Sequence, residues 1–252
     1  MMTETERSTL EERLHDVQQR IEQAARAAGR DPKEVLLVAA TKMNDAERVQ
    51  AAIQAGLTAC GENRVQELLE KYEQGAYQGA DLQFIGTLQS NKVKYLLGKV
   101  SLIQSVSSLK LAECIAKEAK KRNMCQDILL EVNIGREEAK SGFLVETLDS
   151  SLEALSKFPE IHIRGLMAIP PIPTGTDKNS RYFAEMRQLF VDISAKKYDN
   201  VSMDYLSMGM TADFEEAIRF GANIVRVGTA IFGRRPYPVG TGLSKGDPIK
   251  KN

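Results

Sequence analysis

The 252-residue chain has no tryptophan, only three cysteines and two histidines, and no excess charge of either sign. Cys60, Cys114 and Cys125 are odd in number and show no CxxC spacing, which excludes a disulfide framework and a zinc ribbon. With His15 and His162 alone, an HExxH site is impossible and a His-rich metal site is not expected. The 34 Lys and Arg residues cancel the 34 Asp and Glu residues, so no global field favours nucleic acid or an anionic membrane. No apolar stretch approaches the roughly 20 residues of a membrane span. The opening MMTETERSTLEERL has no apolar signal region, so export is not expected. These absences predict a soluble, cytoplasmic, metal-free protein with no nucleic-acid or membrane partner; separately, a monomer is expected.

What remains is an ordinary globular composition with enough apolar residues for a sizeable core. The pattern along the chain is regular. Residues 8 to 28 read as a first helix, with Ser8 and Glu11 as a capping box and Leu10, Leu14, Val17 and Ile21 on one face. The run 35–40, VLLVAA, then has the length and continuity of a strand buried on both faces. Further strands follow at 58–61, 82–85, 102–105, 128–132, 161–166, 203–207 and 224–227, each followed by a helical segment. Asn44 with Glu47 and Asp213 with Glu216 read as helix-capping pairs.

Strands alternating with helices imply a parallel sheet with right-handed crossovers. Eight such units predict a single α/β domain, a (β/α)8 TIM-type barrel with an extra N-terminal helix, over residues 1–235. An open doubly wound sheet would want a glycine-rich turn after its first strand, and Thr41-Lys42-Met43-Asn44 has none. Residues 236–252 show no periodicity and are expected to form a flexible tail.

Barrels of this kind carry their sites at the C-terminal ends of the strands. Two of those ends stand out. Strands seven and eight exit through SMGMTAD and RVGTAIFG, whose run of Ser, Gly and Thr (Ser207, Gly209, Thr211, Gly228 and Thr229) suits a phosphate. Glycine lets backbone N–H groups approach, hydroxyls donate, and a helix start adds dipole charge. The other reading is that the glycines make tight turns and the hydroxyls cap helices. Strand one delivers Lys42, which taken alone reads as a solvated loop lysine; held in apolar surroundings, its amine would have a depressed pKa and could attack an aldehyde.

A lysine beside a phosphate site points to a phosphorylated carbonyl compound. Pyridoxal 5′-phosphate (PLP) and an aldolase sugar phosphate both qualify. Arg226, two residues before Gly228 and so on the same side of its strand, either faces the pyridine nitrogen of PLP or pairs with a carboxylate. If the phosphate assignment holds, Ser207→Ala with Thr229→Val should weaken PLP retention and leave the melting curve nearly unchanged.

Several segments in order carry a resemblance that the short patterns alone do not. They are LLVAATK ending at Lys42, CGENRVQE at 60–67, FIGTLQSNK at 84–92, EVNIGREEAKSGF at 131–143, RGLMAIPP at 164–171, LSMGMTADFEEAI at 206–218 and IVRVGTAIFGRR at 224–235. Together the sequence resembles the pyridoxal phosphate homeostasis protein family, single-domain barrels similar to the N-terminal domain of alanine racemase. The resemblance implies a Schiff base between Lys42 and PLP, and a phosphate held by Ser207, Gly209, Gly228 and Thr229. It also implies Arg226 at the pyridine nitrogen, with Asn63 and Met208 lining the cofactor. It further implies a role in buffering or delivering PLP within vitamin B6 homeostasis, with transient contact to apo PLP enzymes and no established turnover. The alternative is a racemase-like PLP enzyme. Gln83 stands where the family usually has histidine, and Thr41 where it usually has serine.

Overall fold

The computed structural model describes residues 2–172 and 179–233. The expected tail at 236–252 lies outside them. Among the described residues no helix is long and apolar enough to cross a membrane.

The helix α1 (Glu4–Ala27) precedes β1 (Leu36–Ala40), α2 (Ala46–Gln54), β2 (Ala59–Glu62), α3 (Val65–Glu73), β3 (Asp81–Phe84) and the short α4 (Val93–Leu96). Then come β4 (Leu102–Val106), α5 (Leu109–Lys121), β5 (Gln126–Val132), α6 (Leu148–Leu155), β6 (Ile161–Ala168) and α7 (Ser180–Ser194). The chain closes with β7 (Val201–Met210), α8 (Phe214–Arg219), β8 (Ile224–Val227) and α9 (Thr229–Phe232). The eight strands form one closed barrel in sequence order, and β8 pairs in parallel with β1. The predicted barrel and its additional first helix are therefore both present.

Strand alternation divides the core in two. Leu37, Ala39, Val225, Val227, Leu206 and Met208 pack outward against the helices. Val38, Ile85, Leu102, Leu129, Met167 and Ile224 fill the lumen. In β1 both faces pack inside the protein and the strand reads as a continuous apolar run, whereas the first half of β7 is partly buried to exposed and does not. Where a polar residue interrupts such a run on the lumen side, something specific must satisfy it.

Three helix starts differ from expectation. The α1 cap is a full box one turn earlier, with Thr3 Oγ1 accepting from Glu6 N at 3.2 Å and Glu6 Oε2 accepting from Thr3 N at 2.8 Å. That first turn is exposed, so the apolar periodicity that begins at Leu10 does not reveal it; Ser8 lies inside the helix and reaches Glu12. In α2 the cap is Asp45, which accepts from Arg48 N at 2.8 Å, while Asn44 turns back to the Lys42 carbonyl. At α8 Asp213 occupies the cap position but accepts from Met210 N and Asn179 Nδ2, and Glu216 accepts from Ser180. Cys60 is buried, with its thiol pushed up to about 12 by burial, and His162 lies at the start of β6, away from the barrel mouth.

Candidate functional site at the barrel mouth

Arg226 occupies a lumen position on β8 and is 5% exposed. Its Nη1 donates to Ser207 Oγ on β7, and its Nη2 donates to the Ala168 carbonyl on β6 at 2.9 Å. Ser207 Oγ donates across the lumen to Gln104 Oε1 on β4 at 2.6 Å. Gln104 Nε2 donates to Gln83 Oε1 on β3 at 2.6 Å, and Gln83 Nε2 donates to Asp81 at 2.8 Å. A hydrogen-bonded chain thus spans the barrel from β8 to β3.

Among the described residues no carboxylate forms an ion pair with Arg226, so the ion-pair reading of this residue is not met. Burial lowers the guanidinium to about 10, which still leaves it cationic at neutral pH. Glu131, on the lumen side of β5, contributes charge attraction without contact, and burial raises its own carboxyl. A buried cation held only by neutral acceptors carries a large desolvation cost.

Lys42 leaves β1 half-buried. It lines a cavity of about 190 Å³ together with Ala40, Asn44, Asp45, Arg48, Gly228, Thr229 and Phe232. The surroundings are mixed rather than the apolar ones expected: Arg48 donates to the Phe232 carbonyl at 3.0 Å, and Asp45 shares the same wall. Gly228 caps α9, and Thr229 is exposed with its Oγ1 donating to Thr211 Oγ1 at 3.3 Å. Strand register therefore brings Lys42 and the Gly228–Thr229 turn to one place, because β1 and β8 are neighbours at barrel closure.

The other expected residues fall differently. The Ser207 hydroxyl is fully buried and committed to Arg226 and Gln104, outside the Lys42 cavity. The Met208 side chain packs in the outer core. Gly209 has φ of +91° and takes α8 so close that an added Cβ would lie 2.6 Å from Ala217 Cβ. Asn63 follows β2, and its Oδ1 is buried without a hydrogen-bond partner among the described residues. An unsatisfied buried acceptor costs roughly 1–3 kcal/mol, so it suits a ligand donor.

Gln104 and Arg48 were not anticipated. Gln104 left a signal, as the one amide in the run LIQSV, whose positions are buried throughout. Arg48 left none, since an arginine in the first turns of an exposed-faced helix is ordinary.

The fit to a phosphorylated aldehyde can be judged from these groups. An amine and a Gly-Thr helix start share one cavity, a cation bonded to a hydroxyl and a carbonyl lies in the lumen, and at the rim an amide oxygen has no partner among the described residues. A closed parallel barrel of this arrangement is the class defined by the alanine racemase N-terminal domain, whose family model matches residues 13–236. Within that class the chain belongs to the pyridoxal phosphate homeostasis protein family. It is 45% identical over 228 residues to the pyridoxal phosphate homeostasis protein of Aquifex aeolicus (strain VF5), covering 90% of this chain and 98% of the relative. Among solved structures, an unknown protein from Bifidobacterium adolescentis superimposes with a TM-score of 0.85 at 36% identity, covering 92% of this chain and 98% of the other. PipY of Synechococcus elongatus PCC7942, solved with PLP bound, superimposes with a TM-score of 0.73 at 30% identity, covering 85% of this chain and all of PipY (100%).

Proposed function

We propose that this chain holds PLP at the barrel mouth, bonded through its aldehyde to Lys42, and serves PLP homeostasis by buffering and delivering the cofactor. The observation that carries the reading is that Lys42, Gly228 and Thr229 line one cavity, with the buried Arg226 in the adjoining lumen held by Ser207 and the Ala168 carbonyl. Membership of the homeostasis family and the PLP bound in PipY support it.

Each residue has a task. Lys42 Nζ supplies the covalent anchor. Gly228 and Thr229 hold the phosphate through N–H and hydroxyl groups, with the Gly209 backbone on the neighbouring strand exit. Arg226 faces the ring nitrogen, and Ser207 acts chiefly by holding Arg226. Asn63 offers its unsatisfied oxygen at the rim, and Met208 contributes backbone rather than side chain.

Bound PLP supplies an electron sink whose strength depends on protonation of the ring nitrogen. A cation at that nitrogen disfavours its protonation, so Arg226 favours retention of the cofactor over turnover of amino acids. In this reading the protein works in the cytoplasm as a monomer, since one chain supplies Lys42, Arg226, Gly228 and Thr229. Its further partners are apo PLP enzymes, met transiently.

The test mixes PLP-loaded protein with an apo PLP enzyme and, separately, with amino acids in heavy water. Activation of the apo enzyme without exchange of the amino-acid α-proton is the expected result. Exchange that stops in Lys42→Ala would replace the homeostasis reading with a racemase-like enzyme.

A further inference from the structure

Behind Lys42, on the outer side of the barrel, lies a buried cluster of charge that the proposed site does not use. Glu62, the last residue of β2, is fully buried, and its Oε1 accepts from Thr41 Oγ1 at 2.7 Å, Lys71 Nζ at 2.7 Å and Tyr77 OH at 2.9 Å. Lys71, on α3 and 6% exposed, also donates to Glu67 Oε1 at 2.8 Å and to the Thr41 carbonyl at 2.8 Å. Glu67 Oε1 in turn accepts from Met43 N. Burial and the Glu62 charge keep the Tyr77 phenol protonated, well above its ordinary value, so it remains a donor.

The layer between a barrel strand and its helix is ordinarily apolar, and replacing a buried ion pair there by apolar groups is often neutral or stabilising. Fold stability is therefore a poor reason for this cluster. Its contacts give a better one. Both residues flanking Lys42 are held from outside β1: Thr41 through its hydroxyl and carbonyl, and Met43 through its N–H. Met43 has φ of +62°, a conformation a non-glycine residue adopts only when its surroundings impose it. Asn44 Nδ2 adds a bond to the Lys42 carbonyl itself at 3.2 Å.

We infer that Glu62, Lys71 and Glu67 are positioning residues that clamp the backbone on both sides of Lys42, so that cofactor retention is set in part from β2 and α3. The inference rests on the reading of Lys42 as the PLP anchor. Glu67 is the most informative handle, because it is partly exposed and reaches Met43 directly. Glu67→Gln keeps an acceptor for Met43 N, whereas Glu67→Ala removes it.

The experiment measures PLP dissociation constants, the absorbance maximum of the bound chromophore and the melting curves of the PLP-free proteins. Wild type is compared with Glu67→Ala, Glu67→Gln and, as a gentler second probe, Thr41→Val. Loss of the charged acceptor that Met43 N and Lys71 Nζ share predicts roughly tenfold weaker PLP binding in Glu67→Ala with a shifted absorbance maximum. Glu67→Gln is expected to recover most of that loss, and Thr41→Val to weaken binding several-fold. Wild-type binding in both Glu67→Ala and Thr41→Val, or no recovery in Glu67→Gln, overturns the inference while leaving Lys42 as anchor. A wild-type protein that takes no PLP on Lys42 overturns the underlying reading, and the inference with it.

Discussion

Removing one oxygen from the lumen tests whether Ser207 serves the fold or the phosphate. In Ser207→Ala, Arg226 Nη1 loses its acceptor and Gln104 Oε1 loses its donor, with both groups buried. A buried polar group left unsatisfied costs about 1–3 kcal/mol, with bonds to charged groups toward the upper end, so the pair predicts a loss of about 3 kcal/mol. For a domain of this length that corresponds to a fall in Tm of roughly 6–12 °C. Thr229→Val changes an exposed hydroxyl whose partner, Thr211, is also a hydroxyl, and should leave the PLP-free melting curve nearly in place. The assay is thermal melting of the two single variants with and without PLP. The expectation is that Ser207→Ala melts early in both conditions, whereas Thr229→Val loses only part of the shift that PLP confers. If Ser207→Ala melts within about 1–2 °C of wild type, the lumen chain is not under load and the hydroxyl is free for the phosphate, as the sequence alone had suggested.

Two further outcomes follow from the geometry. Burial holds the Glu131 carboxyl above its ordinary 4.5, so the stability linked to its proton is full below that pH and lost as pH rises through the folded value. Glu131→Gln should therefore raise Tm at about pH 8, with the gain shrinking toward zero below pH 4.5; a gain independent of pH would contradict the assignment. An added Cβ at Gly86 would lie 2.1 Å from Asn63 O and 2.5 Å from its Cα, a clash with backbone that no rotamer relieves. Gly86→Ala should destabilise by roughly 2–3 kcal/mol and weaken PLP binding through Asn63, both readable in one PLP-titrated melt. Unchanged melting would show that the β2 and β3 exits can part freely.

The barrel was legible in the sequence because short apolar-rich strand segments alternate with helices buried on one face, and those two patterns differ. Lys42, Gly228 and Thr229 were legible because the fold class says where sites lie, so strand ends could be inspected directly. The lumen chain was not. It joins Gln104 to Ser207, 103 positions apart, and that pairing depends on strand register around a closed barrel. Register in turn shifts between Ser207 and Met210, where the strand departs from strict alternation. The Glu62–Lys71 pair was hidden for a different reason: a glutamate and a lysine nine residues apart look like solvated surface until a strand end and a helix are packed together. Gln83 takes part in the same chain, accepting from Gln104 and donating to Asp81.

The central claim is that Lys42 carries PLP. Its most direct test is borohydride reduction of the PLP-loaded protein followed by peptide mass mapping, with Lys42→Ala alongside. The expected result is a single pyridoxyl adduct on the peptide containing Lys42, absent in the variant. An adduct on another lysine, or none after PLP is added, would contradict the account.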